Sequence, residues 1–316
     1  MMRLLRVELI RLFSRRAVVV IMLLGALTLG GVTAGLLYEN RPVSATEIAS
    51  AQDQLDRDSR YTQRSLDRCV ERSANAGRCK NRYGYQPSLN DYLYRSQLSP
   101  REYKDWLIPM AGISAVLAVL IGATFIGADY ASGSLGTQLL FEPSRSKVWA
   151  AKAVAVVLGA GAFGLISLGL ANAAIYLMAK AWDRPMPEGL LGDYSTAIGR
   201  GALFTAAAGL LGYALVLISR HTVAALGIVA LYLVAAETVL RMVSQGSEKW
   251  LLSNHVLALV GGSFKRKLYP TSCFDRASCR PEVLHFTLPF AISYLGAGLL
   301  AIAIGAWILF QRRDVA

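Results

Sequence analysis

The sequence predicts an all-α polytopic membrane protein: six transmembrane helices, both termini cytoplasmic, an N-terminal interfacial helix and an enlarged first extracellular loop. Three observations carry that expectation. Of 316 residues, 54% are hydrophobic and only 17% are charged, with a mean hydropathy of +0.41. The apolar residues gather into runs of about twenty or more, the length a helix needs to cross a hydrocarbon core of roughly 30 Å. Basic residues collect at alternate ends of those runs. Inside lipid every backbone amide must be satisfied within its own segment, so such runs read as helices.

Residues 1–16 come first. Leu4, Leu5, Leu9, Leu12 and Phe13 recur at helical spacing among arginines, the pattern of a short elbow helix lying in the cytoplasmic interface. An ordinary positive flank of the first span is the alternative. The apolar stretch that follows is too long for a cleavable signal peptide and lacks a clear small-residue cleavage site. The spans are expected at 17–38, 105–128, 148–179, 198–219, 222–240 and 288–310. The third is longer than a bilayer requires and should tilt or project.

Charge sets the expected orientation. Arg3, Arg6, Arg11, Arg15 and Arg16 precede the first span. Arg145, Lys147 and Lys152 follow the second, Arg220 follows the fourth, and Arg312 and Arg313 lie in the tail 311–316. All fall on one side, cytoplasmic by the positive-inside rule, which the long arginine-containing loop 39–104 escapes. The net charge of +12 then points to membrane lipids and not to nucleic acid, for which no soluble basic face is available.

All four cysteines fall on the opposite, oxidising side: Cys69 and Cys79 in loop 39–104, Cys273 and Cys279 in loop 241–286. Even parity in two local pairs favours Cys69–Cys79 and Cys273–Cys279 disulfides, with free thiols or pairing between the loops as alternatives. Zinc is disfavoured, because the spacing is wide and no paired histidines lie near. Within the first loop, Thr46 to Ala74 is rich in helix formers, with Ile48, Leu55, Leu66 and Val70 as a narrow apolar stripe. Tyr83, Tyr85, Tyr92 and Tyr94 cluster after it. Ser99-Pro100-Arg101-Glu102 has the form of a capping box that starts the second span. This loop reads either as a lid or surface for an extracytoplasmic partner, or as a solvated loop. In loop 241–286, Trp250 to Val260 is apolar but too short to span, so it reads as a re-entrant or interfacial helix. It ends at Gly261-Gly262, before the basic Lys265-Arg266-Lys267.

Catalytic signatures are missing. There is no G-x4-G-K-[ST] phosphate loop and no HExxH, and His221, His255 and His285 are scattered. No metal or cofactor is expected in this chain, and an enzyme reading has no positive support. Glu237, near the end of the fifth span, is the one ionisable residue well inside an apolar run. It reads as a pathway group or, more simply, as an ion pair with Arg241 four residues on. Asn172 in the third span reads as a helix–helix hydrogen-bonding residue.

The stretch after the second span is the most informative. It reads Gly127-Ala128-Asp129-Tyr130, then Gly133-Ser134-Leu135, Thr137 and Leu139, then Pro143, Arg145 and Ala151-Lys152. This resembles the membrane subunit of ABC-2 type exporters, whose corresponding loop reads G-A-E-Y-x-x-G-T-L-x-T-x-L, then P-x-R, then A-K. Asp129 stands for the usual glutamate and Ser134 for the usual threonine. Ser219-Arg220-His221-Thr222, Glu237 and the closing Phe310-Gln311-Arg312-Arg313-Asp314-Val315 are similar as well. Loop 39–104 matches nothing in the pattern.

The resemblance implies a non-catalytic permease subunit of a prokaryotic cytoplasmic membrane that exports a hydrophobic, amphipathic or lipid-linked substrate. A second copy or a paralogue would complete the path, and a separate ATPase dimer holding ATP and Mg would dock beneath. The cytoplasmic loop 129–147 would be the coupling loop, with Asp129, Gly133, Pro143, Arg145 and Lys152 as coupling residues and the elbow helix bracing it. Re-entrant helices after the fifth span would form the outer gate, placed here at about Trp250–Val260. Separately, Glu237, Arg241 and Asn172 are read from the residues as candidates for a pathway or gate. An ABC-type scaffold that moves an extracytoplasmic partner without transport is the alternative.

Overall fold

The computed structural model describes residues 1–72, 76–93, 103–184, 188–243, 245–268 and 281–313. Helix α1 (Met2–Ser14) passes through Arg15 into α2 (Arg16–Glu39). An outer unit follows, built of α3 (Ala45–Arg72), α4 (Ala76–Tyr83) and α5 (Leu89–Tyr92). Then come α6 (Tyr103–Ala131), the short α7 (Ser134–Phe141), α8 (Arg145–Ala181) and α9 (Leu190–Ser219). Helix α10 (Thr222–Leu231) continues through a π turn (Tyr232–Ala236) into α11 (Glu237–Val243). A 3-10 turn (Gln245–Trp250), α12 (Leu252–Gly261), strands β1 (Ser263–Leu268) and β2 (Glu282–Thr287), and α13 (Leu288–Arg312) complete the chain.

Among the described residues, six helices are long and apolar enough to cross a membrane: Arg16–Glu39, Trp106–Ala131, Arg145–Ala181, Leu190–Ser219, Thr222–Met242 and Leu288–Arg312. They correspond in order to the six predicted spans, and the architecture is that of a predominantly helical multi-pass membrane protein. The fourth begins at Leu190, well before the expected residue 198. Helix α8 has 37 residues, about 55 Å at 1.5 Å per residue, so it extends past a hydrocarbon core as its sequence length implied.

Helices α6, α8 and α9 form the packed centre, and α9 supplies the small residues that let them close. A Cβ on Gly122 of α6 would strike the Gly209 carbonyl, and one on Gly212 of α9 would strike that of Val119. Two backbones in contact need glycine at the crossing, the packing that suits helices in lipid. Phe125, Ile126, Val156, Tyr213 and Leu217 fill one end of this centre. Leu107, Met110, Ala111, Leu168 and Ile175 fill the other. By contrast α2, α10–α11 and α13 lie outside and leave most of their surface uncovered.

The helix-only expectation missed one element. β1 and β2 pair antiparallel from Ser263 with Thr287 to Leu268 with Glu282. Phe264, Leu268, Leu284 and Phe286 turn to α12 and α13. The basic run Lys265–Lys267 is therefore a strand and not the tail of a loop. The short apolar helix expected over 250–260 is present as α12, ended by Gly262.

In the outer unit, α3 follows the expected helix closely. Its start is a capping box: Ser44 Oγ accepts the Glu47 amide at 3.3 Å while the Glu47 carboxylate accepts the Ser44 amide at 2.9 Å. Cys69 and Cys79 form a disulfide that joins α3 to α4. Tyr92 of α5 donates to Asp58 of α3 at 2.7 Å. The predicted apolar stripe is only partly covered, since Ile48 and Val70 remain exposed. Cys273, Cys279, Tyr94 and the Ser99–Glu102 capping box lie outside the described residues.

Candidate functional site

Two predicted coupling residues, Asp129 and Lys152, meet in a buried ionic joint. Asp129 closes α6 and Lys152 sits two turns into α8. Lys152 Nζ lies 2.7 Å from Asp129 Oδ2 and 2.8 Å from Glu8 Oε2 of α1. None of the three side chains is more than 1% exposed. Arg15 pairs with the other Asp129 oxygen and donates to the Phe125 carbonyl at 2.9 Å. Ser134, at the start of α7, donates to that same Asp129 oxygen at 2.9 Å. Gln138, one turn further along α7, donates to Glu8 Oε1 at 2.6 Å and accepts from Arg11 at 3.4 Å.

The two carboxylates face Lys152 and Arg15, and Arg11 stands 3.7 Å from Glu8 Oε1 at the rim. The Phe125 ring lies beneath both cations, 5.2 Å from Lys152 Nζ and 5.1 Å from Arg15 Cζ. Charges this deep persist only when each is paired and hydrogen-bonded. The joint therefore fixes α1, α6, α7 and α8 relative to one another. Its lysine and both carboxylates are sealed from solvent and committed to one another.

The remaining predicted coupling residues do other things. Gly133 takes a left-handed backbone, φ +67°, which lets the chain turn sharply from α6 into α7. Pro143 is exposed in the link between α7 and α8. Arg145 reaches the end of α13. Its guanidinium donates to the carbonyls of Phe310, Gln311 and Arg313, at 3.3, 3.2 and 2.6 Å, and so caps the last helix. What does face outward is Leu140, 84% exposed, and Phe141, 87% exposed, at the tip of α7.

Glu8, Arg15, Gln138, Leu140 and Phe141 were not singled out from sequence as site residues. Glu8 carried a readable signal. It is the only acid in the first sixteen residues, and the 3–4–3 spacing of Leu5, Glu8, Leu12 and Arg15 sets it on the face that α1 buries. Gln138 and Leu140–Phe141 carried none.

A second polar cluster lies at the opposite end, where α11, α12 and β1 meet. Glu237 Oε1 accepts the backbone amide of Ser253 at the start of α12, at 2.7 Å. An anion at a helix N-terminus is favourable. The predicted pair with Arg241 is present at 3.5 Å, and Arg241 also donates to Ser253 Oγ at 2.6 Å. Glu248 then receives Arg241 at 3.6 Å, Arg266 of β1 at 3.3 Å and Asn254 Nδ2 at 2.9 Å. Glu237 is thus a cap in a network and not an isolated pathway carboxylate. Asn172 corrects its expectation: its amide bonds the Leu168 carbonyl of its own helix at 2.8 Å, because that acceptor one turn back is nearest.

Among the described residues no group of three or more His, Cys, Asp or Glu is placed to hold a metal ion. No protein-family model, curated protein or solved structure matches the chain, so its site is interpreted from its own residues and geometry.

Proposed function

We propose that the chain is the membrane subunit of an ATP-driven exporter of the ABC-2 type, a half-transporter of a prokaryotic cytoplasmic membrane. In this reading both termini and α7 face the cytoplasm, and α1 lies in the inner interface. A separate ATPase dimer, holding ATP and Mg, seats the tip of α7, and a second copy or a paralogue completes the path. The cargo is hydrophobic, amphipathic or lipid-linked. The observation that supports this most is the union of a rigid base and an apolar tip. The Glu8–Lys152–Asp129 joint anchors α7 to two long helices, while Leu140 and Phe141 stand uncovered on it. In this reading a motor that pushes on such a knob moves α6 and α8 together, because Ser134 and Gln138 tie α7 into the joint that both helices share.

The test is co-purification of an endogenous ATP-hydrolysing subunit with the tagged chain. Phe141→Asp and Leu140→Asp should each cut recovery at least about tenfold, the effect of losing roughly 1.4 kcal/mol or more at an interface hot spot. Undiminished recovery with both variants would sink the docking surface; recovery of no ATPase from wild type would sink the exporter reading.

One observation favours a second reading, a scaffold that drives an extracytoplasmic partner without transport. The outer unit is braced by a disulfide, a capping box and the Tyr92–Asp58 bond, more order than a passive loop requires. Proteoliposomes discriminate. ATP-dependent movement that survives deletion of Glu47–Arg95 supports the exporter, whereas capture of a hydrolase by the outer unit with no transport supports the scaffold.

A further inference from the structure

We infer that the groove between α2 and α8 binds one acyl chain of an anionic phospholipid, with Arg16 holding its headgroup. This goes beyond the exporter reading and does not depend on it. The groove has a volume of about 500 Å³ and runs from Met22 to Leu37 on α2 and from Gly159 to Ala174 on α8. Fifteen helical residues correspond to about 22 Å, most of the roughly 30 Å hydrocarbon depth. Both walls belong to membrane-length helices, so the slot opens into lipid.

The lining selects hydrocarbon. Its two hydroxyls are already committed to their own helices: Thr33 Oγ1 donates to the Leu29 carbonyl at 2.7 Å and Ser167 Oγ to the Phe163 carbonyl at 2.7 Å. No donor is left for a polar ligand, which would lose its hydrogen bonds to water without replacement. The slot is also open space and not tight packing. A Cβ added to Gly30 meets nothing within 4 Å, whereas one added to Gly25, on the same helix, meets Leu117 and Phe163 at 2.7 Å.

The basic end supplies the headgroup contact. Phe13 of α1 closes the groove there, and Arg16 begins α2 three residues later. Arg16 stands eighteen residues, or five turns, before Ala34 of the lining, and so lies on the same helix face. It is exposed and makes no ion pair among the described residues, while its neighbour Arg15 is committed to Asp129. An arginine beside the mouth of a hydrocarbon slot matches an amphiphile with a phosphate head.

The test uses the full chain in phosphatidylcholine nanodiscs, without any ATPase. The discs are doped with phospholipid carrying a photoactivatable diazirine in one acyl chain, under either a phosphatidylglycerol or a phosphatidylcholine headgroup. Peptide mass spectrometry then counts adducts. Adducts on 22–37 and 159–174 should favour phosphatidylglycerol about fivefold, the worth of one arginine near a phosphate. Arg16→Gln should remove that preference. Gly30→Trp, which fills the slot, should lower the groove adducts several-fold and leave those on Leu300 and Ile304 of α13 unchanged. Gly30→Ala, too small to fill it, should keep them all. If Gly30→Trp fails to fold, Ala34→Phe takes its place. Groove adducts no more frequent than those on α13, or untouched by either filler, overturn the site. So do covalent dimers formed through position 34 by a photoreactive residue, because a second copy would then occupy the slot.

Discussion

The two polar clusters of this protein have similar composition and opposite construction. At the basic end, Glu8 and Arg15 come from α1 and the link after it, Asp129 and Lys152 from α6 and α8 more than a hundred residues further on, and the lysine and both acids are sealed from solvent. At the hairpin end, Glu237, Arg241, Glu248 and Arg266 lie within thirty residues of one another, and both arginines are about a third exposed. A sealed network of distant residues resists any change in the angle between the helices it joins, because opening it strands a charge in low dielectric. A half-exposed network of near neighbours opens at little cost, since water replaces each lost bond. In the proposed exporter the first is a stiff joint and the second a latch.

The largest expected effect tests that contrast directly. Lys152→Met leaves Glu8 and Asp129 buried without their shared cation and should destabilise the folded chain by about 3–5 kcal/mol. Glu237→Gln keeps an oxygen for the Ser253 amide and should cost about 1 kcal/mol. Unfolding in a graded detergent series measures both, and equal losses would erase the distinction. Next is the outer unit. Cys69→Ser with Cys79→Ser opens a link of sequence separation 10. It should cost that unit about 2–3 kcal/mol by loop entropy, seen as faster proteolysis within 45–92 while the membrane helices stay protected.

Arg266→Ala should change global stability by about 0–1 kcal/mol, yet raise hydrogen exchange across 245–268 and leave 129–152 unchanged. Exchange rising at both ends together would mean that the ends are not separately hinged. The smallest effect is a titration. Hydrogen bonding to Asp58 pushes the Tyr92 hydroxyl up to about 12. Its ordinary value is about 10, so this contact stabilises fully below pH about 10 and is lost as pH rises through about 12. The tyrosinate absorbance of wild type minus Tyr92→Phe should show a single transition near the upper value. A transition near the lower value would mean the bond is absent in solution.

The six membrane helices were legible because an apolar run of twenty has one stable form in lipid, and charge at its ends marks where it stops. Asp129 and Lys152 were legible only as members of a familiar spacing. Glu8, which shares Lys152 with Asp129, lies more than a hundred residues away along the chain; its spacing marks it as buried on α1 but does not say what it meets there. Arg145 was legible by position, but its bonds to the end of the last helix were not, since spacing says nothing of a carbonyl cluster contributed there. The hairpin escaped because three consecutive basic residues hid the alternation of Phe264, Arg266 and Leu268. Its second strand, from 282 to 287, is also too distant to leave a turn signature. Asn172 was misread because the carbonyl one turn back competes with any neighbouring helix.

The π turn at Tyr232–Ala236 bears on how the latch is aimed. Such a turn inserts about one residue into the helical count, which rotates everything after it by roughly 100° about the axis. Glu237 follows at once, so its heading is set by this offset and not by the phase of α10. Restoring regular winding, by deleting one residue between 232 and 236, would swing the carboxylate from the Ser253 amide toward the acyl chains. The irregularity works as a keyway, and the acid can be tolerated in so greasy a segment because the backbone is wound one step out of phase just before it.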